Sequence, residues 1–213
     1  MHDEQIAERR SYDFEVRAES NELGNVIIGR PIVYDSRTDI GAFDEIIERG
    51  ALSNTDLTDV RFLVNHDLNK IPLARSRRNN GNSTMQLTVD DFGLSIRVLL
   101  DTENNAEARA LYSAVERGDI TGMSFMFFVR SDEWDNLDSD HPTRRITDIA
   151  NVVEVSAVTF PAYDDTEIYA RSKEALENAR SALEKVRQQR AASVDTDDLE
   201  LMKAKTKTLL LRR

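Results

Sequence analysis

Apolar side chains along most of this chain recur at every second position. Tyr12, Phe14 and Val16 alternate in YDFEV. NVIIGRPIVY (25–34), VRFLV (60–64), IPLAR (71–75), STMQLTV (83–89) and FGLSIRVLL (92–100) read as further short strands. GMSFMFFV (122–129) follows, and RRITDIANVVEVSAVTF (144–160) is long enough for two. Turn signals such as NNGNS and DDFG separate these stretches, and their spacing predicts an antiparallel barrel or sandwich. A helical period interrupts twice. FDEIIERG (43–50) predicts a short helix. A second runs from about Asn105 to Arg117, with Asn104 and Glu107 at capping-box spacing and Gly118 as its stop. SDEWDNLDSDHPT (131–143) is acidic, lacks an apolar period and reads as a loop.

Beyond Pro161 the pattern changes. Leu176, Ala179, Leu183 and Val186 recur at 3-4-3 spacing with no Gly or Pro among them, which predicts an amphipathic helix with a coiled-coil-like stripe. ASVDTDD (192–198) ends it before a basic and apolar piece, LMKAKTKTLLLRR. The chain therefore divides into a β body, residues 1–171, and a helical, basic tail, residues 172–213, that suits targeting or self-processing. No internal repeat is evident.

Charge sharpens this division. The net charge of −11 is unevenly spread: residues 172–213 hold 10 Lys and Arg against 7 Asp and Glu, a net of +3, and the body carries −14. An acidic body argues against a nucleic-acid binder, which needs a basic face over the phosphates. The 213 residues suffice for one ordinary domain and its extension. The absence of cysteine excludes disulfides and thiolate metal sites. A polar N-terminus, MHDEQIAERRSYDFEV, is unlike a secretory signal, and no apolar run approaches the ~20 residues of a membrane span. The expectation is a soluble protein of a cytoplasm-like space.

The candidate chemistry begins in TGMSFMFFV (121–129), where one hydroxyl sits among large apolar side chains. A serine hydroxyl is too weakly acidic to attack a peptide unaided, so Ser124 needs a base and the base an orienting partner. Gly122, two residues earlier on the same strand face, clears space for an incoming acyl group. In VRFLVNHD, strand alternation carries His66 to the end of the face shared by Val60, Phe62 and Val64, shielded but reachable, as suits a general base. In NVVEVSAVTFPA, Glu154 shares a face with Val152, Ser156, Val158 and Phe160. A carboxylate there needs a donor, either an imidazole or an arginine such as Arg144 or Arg145. A packed strand serine and a strand-end histidine are the plain alternatives. A metal hydrolase around His66 and Asp67 finds little support, since only three histidines exist and no ligand cluster accompanies them.

These segments resemble a known family. GRPIVYDSRTDIGAFDEIIERGAL resembles the opening of the tailed-phage prohead proteases, with Glu48-Arg-Gly-Ala-Leu52 at the place of that family's P-G-A-F-like element. VNHDLNKIPLAR is similar to its W-N-H-D segment. TVDDFGLSIRVLLDT, AVERGDITGMSFMF and VVEVSAVTFPAYDDTEI follow in the family's order and at similar spacing, so the likeness covers roughly residues 12–170. Met126 stands where the family often has glycine, and Val64 where it has an aromatic residue.

The resemblance implies a mainly β fold with flanking helices, a herpesvirus-protease-like antiparallel β-barrel followed by the helical tail. It implies a serine endopeptidase that cleaves capsid-precursor and scaffold proteins, and itself, inside the assembling prohead in the host cytoplasm. Ser124 is then the nucleophile, His66 the general base and acid, and Glu154 the residue that orients His66, although the herpesvirus relatives use a second histidine in that place. Gly122 and a backbone N–H near Ala162 are the candidates for substrate binding and the oxyanion. Neither metal nor cofactor is implied, the partners are the major capsid protein precursor, the scaffold and further copies of the chain, and neither nucleic acid nor membrane is expected. The rival reading is a non-catalytic capsid assembly or scaffolding protein that retains the protease barrel.

Overall fold

The computed structural model describes residues 7–12, 16–21, 24–159 and 180–191. In chain order it contains β1 (Glu8–Tyr12), β2 (Val16–Asn21), β3 (Gly24–Val33), β4 (Arg37–Asp39), β5 (Asp44–Ile47), β6 (Arg61–Val64) and β7 (Ala74–Arg75). β8 (Met85–Asp90), β9 (Gly93–Leu100), α1 (Ala106–Glu116), β10 (Gly122–Asp135) and β11 (Thr143–Val158) follow. A second helix, α2, occupies 180–191.

The strands form two sheets, and no barrel closes among the described residues. One sheet has the order β2-β3-β9-β8 and is antiparallel throughout. The other runs β1-β10-β11-β5-β4, with β6 also on β11 and β7 on β6. Its pairings are not all antiparallel: β5 and β6 both lie parallel to β11. The 16 residues of β11 are long enough to hold β5 at one end and β6 at the other, which departs from the antiparallel barrel expected. Phe62, Phe125, Phe127 and Val155 of the larger sheet pack with Ile27, Ile96 and Val98 of the smaller, and Ala108, Leu111 and Val115 of α1 complete this core. Within the smaller sheet β3 and β9 approach closely at the start of β9, where Gly93 has φ +138 and an added Cβ would lie 2.0 Å from the Ile32 carbonyl oxygen.

Local expectations fail at identifiable points. FDEIIERG forms β5 and a turn rather than a helix, because Ile46 and Ile47 are buried and Glu45 is drawn into an interior ion cluster. The N-cap of α1 is Asn105, whose side chain accepts from the Glu107 and Ala108 N–H groups, while Asn104 bonds to Asp101. Gly118, at φ +77, ends that helix as its position suggests. The stretch 131–143 is only partly a loop. β10 continues to Asp135 and pairs with the start of β11 at Thr143, leaving 136–142 as the hairpin connection. RRITDIANVVEVSAV is a single strand rather than two.

The amphipathic stripe of the tail meets the body. Leu183 is buried with Phe43 and Leu137, and Val186 and Trp134 pack against them. Arg187 donates to the Leu137 and Ser139 carbonyls at 3.1 and 2.7 Å, and Arg190 pairs with Asp138 at 3.2 Å. Leu176 and Ala179 of the same stripe lie outside the described residues, as do the basic and apolar residues 192–213.

Candidate active site

His66 sits where β6 ends in a tight turn. Asn65 and His66 have φ of 53° and 58°, a left-handed pair that asparagine and histidine tolerate better than most residues. The turn is fixed to the end of β11: Asn65 N–H donates to the Ala157 carbonyl at 2.9 Å, and its side chain bonds Thr159. Simple alternation would carry His66 to the Phe62 face. The two left-handed residues instead bring the imidazole to the opposite face of the sheet, where Glu154 lies. The His66 side chain is 13% exposed, shielded but open to a reactant.

Glu154 is fully buried and directly bonded to His66, Nδ1 to Oε1. Its other oxygen, Oε2, accepts from the Ser156 hydroxyl at 2.6 Å. The carboxylate therefore has a donor on each oxygen, which is what an interior charge requires. Because a carboxylate only accepts, the imidazole hydrogen lies on Nδ1 and leaves Nε2 as the basic nitrogen. The arginines are engaged elsewhere: Arg144 binds Glu8, Glu45 and Asp132, and Arg145 binds Asp135 and Glu48. Val152 does not share the Glu154 face. A register shift between the pairs Met126–Glu154 and Phe127–Val152 returns Val152 to the core with Val155.

Ser124 lies in β10 directly opposite Ser156 of β11, so the two hydroxyl-bearing positions share a face with Glu154. On its other side it is the register partner of Ser11 in β1. Ser124 is fully buried, and its hydroxyl donates to the Arg10 carbonyl at 2.7 Å. Gly122 opens β10 two residues earlier, buried and opposite Val158. Ala162 and the loop around it fall outside the described residues.

Beneath β1, on the face away from Ser124, lies a buried ion cluster. Arg10 binds Glu45 through Nε and Nη2 at 2.5 and 2.6 Å, and Arg144 bridges Glu8 and Glu45. Burial pushes the Glu8 carboxyl up, but the adjacent Arg10 and Arg144 guanidiniums outweigh it and hold Glu8 below its ordinary value. Arg144, deprived of solvent but facing Glu45 and Glu8, is held above its own.

His141 lies at the opposite end of the sheet, bonded to Asp44 at 3.2 Å and near Asp39. Among the described residues these three form the one His/Asp/Glu group with metal-like spacing, and it includes neither His66 nor Asp67. Arg37 already pairs with Asp44 at 2.8 Å. Two participants in the site escaped the sequence reading: β1, whose inward residues are charged and hide its strand pattern, and Ser156 as the second donor to Glu154. The i, i+2 spacing of Glu154 and Ser156 was the available signal for the latter.

The family model described as caudovirus prohead serine protease matches residues 12–181. Among solved structures, the capsid assembly protease gp21 of bacteriophage T4 is similar at 12% identity and a TM-score of 0.35, covering 72% of this chain and 99% of that one. No curated protein matches the chain significantly.

Proposed function

Since the chain belongs to the caudovirus prohead serine protease family, we propose that it is a serine endopeptidase of capsid maturation, with Ser124 as nucleophile, His66 as general base and acid, and Glu154 as the residue that orients His66. The observation that carries this reading is the contact between His66 Nδ1 and the buried Glu154 carboxylate. It fixes the tautomer in which Nε2 can take a proton, and it supplies the negative charge that stabilises the imidazolium once formed.

For attack, the Ser124 hydroxyl turns from the Arg10 carbonyl towards His66 Nε2. Its oxygen adds to the scissile carbonyl while the hydroxyl proton passes to Nε2. The tetrahedral intermediate collapses as His66 returns that proton to the leaving amine, and the acyl-enzyme remains. Water, deprotonated by His66, then releases the new carboxyl terminus and regenerates the hydroxyl. Gly122, on the same strand face as Ser124, leaves room for the acyl group. The substrates in this reading are the capsid precursor and the scaffold, and the site of action is the assembling prohead in the host. The segment between about Arg190 and Thr208 is the proposed self-cleavage region.

The competing reading, a non-catalytic assembly protein on the same fold, draws on the full burial of Ser124 and its bond to a backbone carbonyl. A fluorophosphonate probe separates the two. Stoichiometric labelling that maps to the peptide containing Ser124, and disappears in His66→Ala, is the result expected of the protease. Absence of labelling in wild-type protein, even with capsid precursor present, favours the assembly role.

A further inference from the structure

The Ser156 hydroxyl occupies an unusual place in the site. It is fully buried, donates to Glu154 Oε2 at 2.6 Å, and accepts from the His66 backbone N–H at 3.1 Å. One oxygen thus ties the carboxylate to the main chain of the residue that the same carboxylate holds by its ring. We propose that Ser156 is a positioning residue for the His66–Glu154 pair, acting on both partners at once; the proposal rests on the catalytic reading of that pair given above.

Two physical arguments support it. First, His66 is held at φ 58°, a left-handed conformation that is sparsely populated by L residues. The bond from His66 N–H to Ser156 is a direct restraint on that backbone, and it sets where the ring leaves the turn. Second, Glu154 accepts from His66 in line with the ring only while its carboxylate plane is held. With Ser156 on Oε2 and His66 on Oε1, both oxygens are assigned and rotation breaks two bonds. Strand geometry makes the arrangement possible, since Glu154 and Ser156 are two apart on β11 and face the same way.

The charged groups on the flanking strands are Arg61 on β6, the register partner of Glu154 and paired with Asp59 at 3.8 Å, and Arg9 and Arg10 on β1, the latter engaged with Glu45. Asp67 follows His66 and accepts from Asn69 N–H at 3.1 Å. Substitution at Ser156 leaves all of these in place.

The test compares Ser156→Val with Ser156→Thr. The two side chains share a shape and differ by the hydroxyl, so packing changes are common to both, and both suit a buried strand. Steady-state cleavage of a capsid-precursor peptide is measured, together with the thermal midpoint of each variant. The expected result is a loss of about 10–100-fold in kcat for Val with KM little changed, the scale of one hydrogen bond to a charged group. Thr should restore the rate to near wild type. Equal rates for Val and Thr, whether both fast or both slow, overturn the proposal. Ser124→Ala and His66→Ala measured alongside keep the outcomes distinct: if these remain active, the catalytic reading fails; if they are inactive while Val and Thr match each other, only the role of Ser156 fails.

Discussion

His66 Nδ1 and Glu154 Oε1 are hydrogen-bonded across 88 residues of sequence, one just past the end of a short strand and the other within the 16-residue β11. The contact depends on a turn of two left-handed residues that swings the imidazole across the sheet. It also depends on the parallel pairing of β6 with β11, which sets the turn beside the carboxylate.

If that contact orients the base, Glu154→Gln should lower kcat by about 10²–10⁴, because an amide can present the wrong partner to Nδ1 and carries no charge to stabilise the imidazolium. His141→Ala should be nearly silent, since His141 is engaged with Asp44 at the other end of the sheet. Steady-state cleavage of a capsid-precursor peptide by both variants checks this. The opposite pattern would transfer the orienting role to His141.

Many of the strands were legible in the sequence, because β8 and β9 bury one apolar face and β3, β6 and the start of β10 are mostly apolar runs. The misreadings share a physical cause. β1 and β5 turn Arg10 and Glu45 inward, and paired interior charges look like surface residues to a hydropathy pattern. The register shift beside Val153 puts Val152 and Glu154 on different faces although they are two residues apart. The turn at Asn65 and His66 breaks alternation in the same way. Within the candidate site the residue types were legible, but their contacts depend on these irregularities, and local sequence carries no signal for them.

The interior charges make a separate stability prediction. Arg10→Met leaves Glu45 buried with, among the described residues, the 3.2 Å contact to Arg144 as its remaining ion pair, and it should cost about 3–5 kcal/mol. The double variant Arg10→Met/Glu45→Gln should recover part of that loss, because no uncompensated charge remains beneath β1. Urea unfolding of the three proteins measures it. A single-variant change below about 0.5 kcal/mol, the usual range for a surface substitution, would mean that the cluster is not an interior one.

Acid should weaken the fold through the same cluster. The folded-state pKa of Glu8 lies below the ordinary 4.5, so its contribution is fully present above that value and is lost as pH falls through the depressed one. Asp90, held down to about 2 by Arg30 and by the Phe92 and Gly93 N–H groups, adds a smaller, more exposed contribution lost between about 3.8 and about 2. Thermal midpoints taken from pH 6 to pH 2.5 should therefore fall mainly below pH 4.5. In Glu8→Gln the fall should be shallower, and an unchanged slope in that variant would contradict the assignment.

The docking of α2 is tested through Leu183. Leu183→Ala removes the buried residue that joins α2 to Phe43 and Leu137, and it should release the helix from the body. Limited trypsin digestion should then cut within 180–191, at Arg187 or Arg190, at least several times faster than in wild type, while α1 and the β core stay protected. Equal cutting rates would mean that Leu183 does not hold the helix in place.

The central claim is that Ser124 breaks peptide bonds in a capsid precursor. Co-expression of the chain with its capsid protein, followed by intact-mass measurement of both, addresses this directly when wild type and Ser124→Ala are run in parallel. The account predicts a shortened capsid protein with wild type, and full-length capsid protein with a folded Ser124→Ala variant whose thermal midpoint is near that of wild type. The same truncated mass in both co-expressions would contradict it.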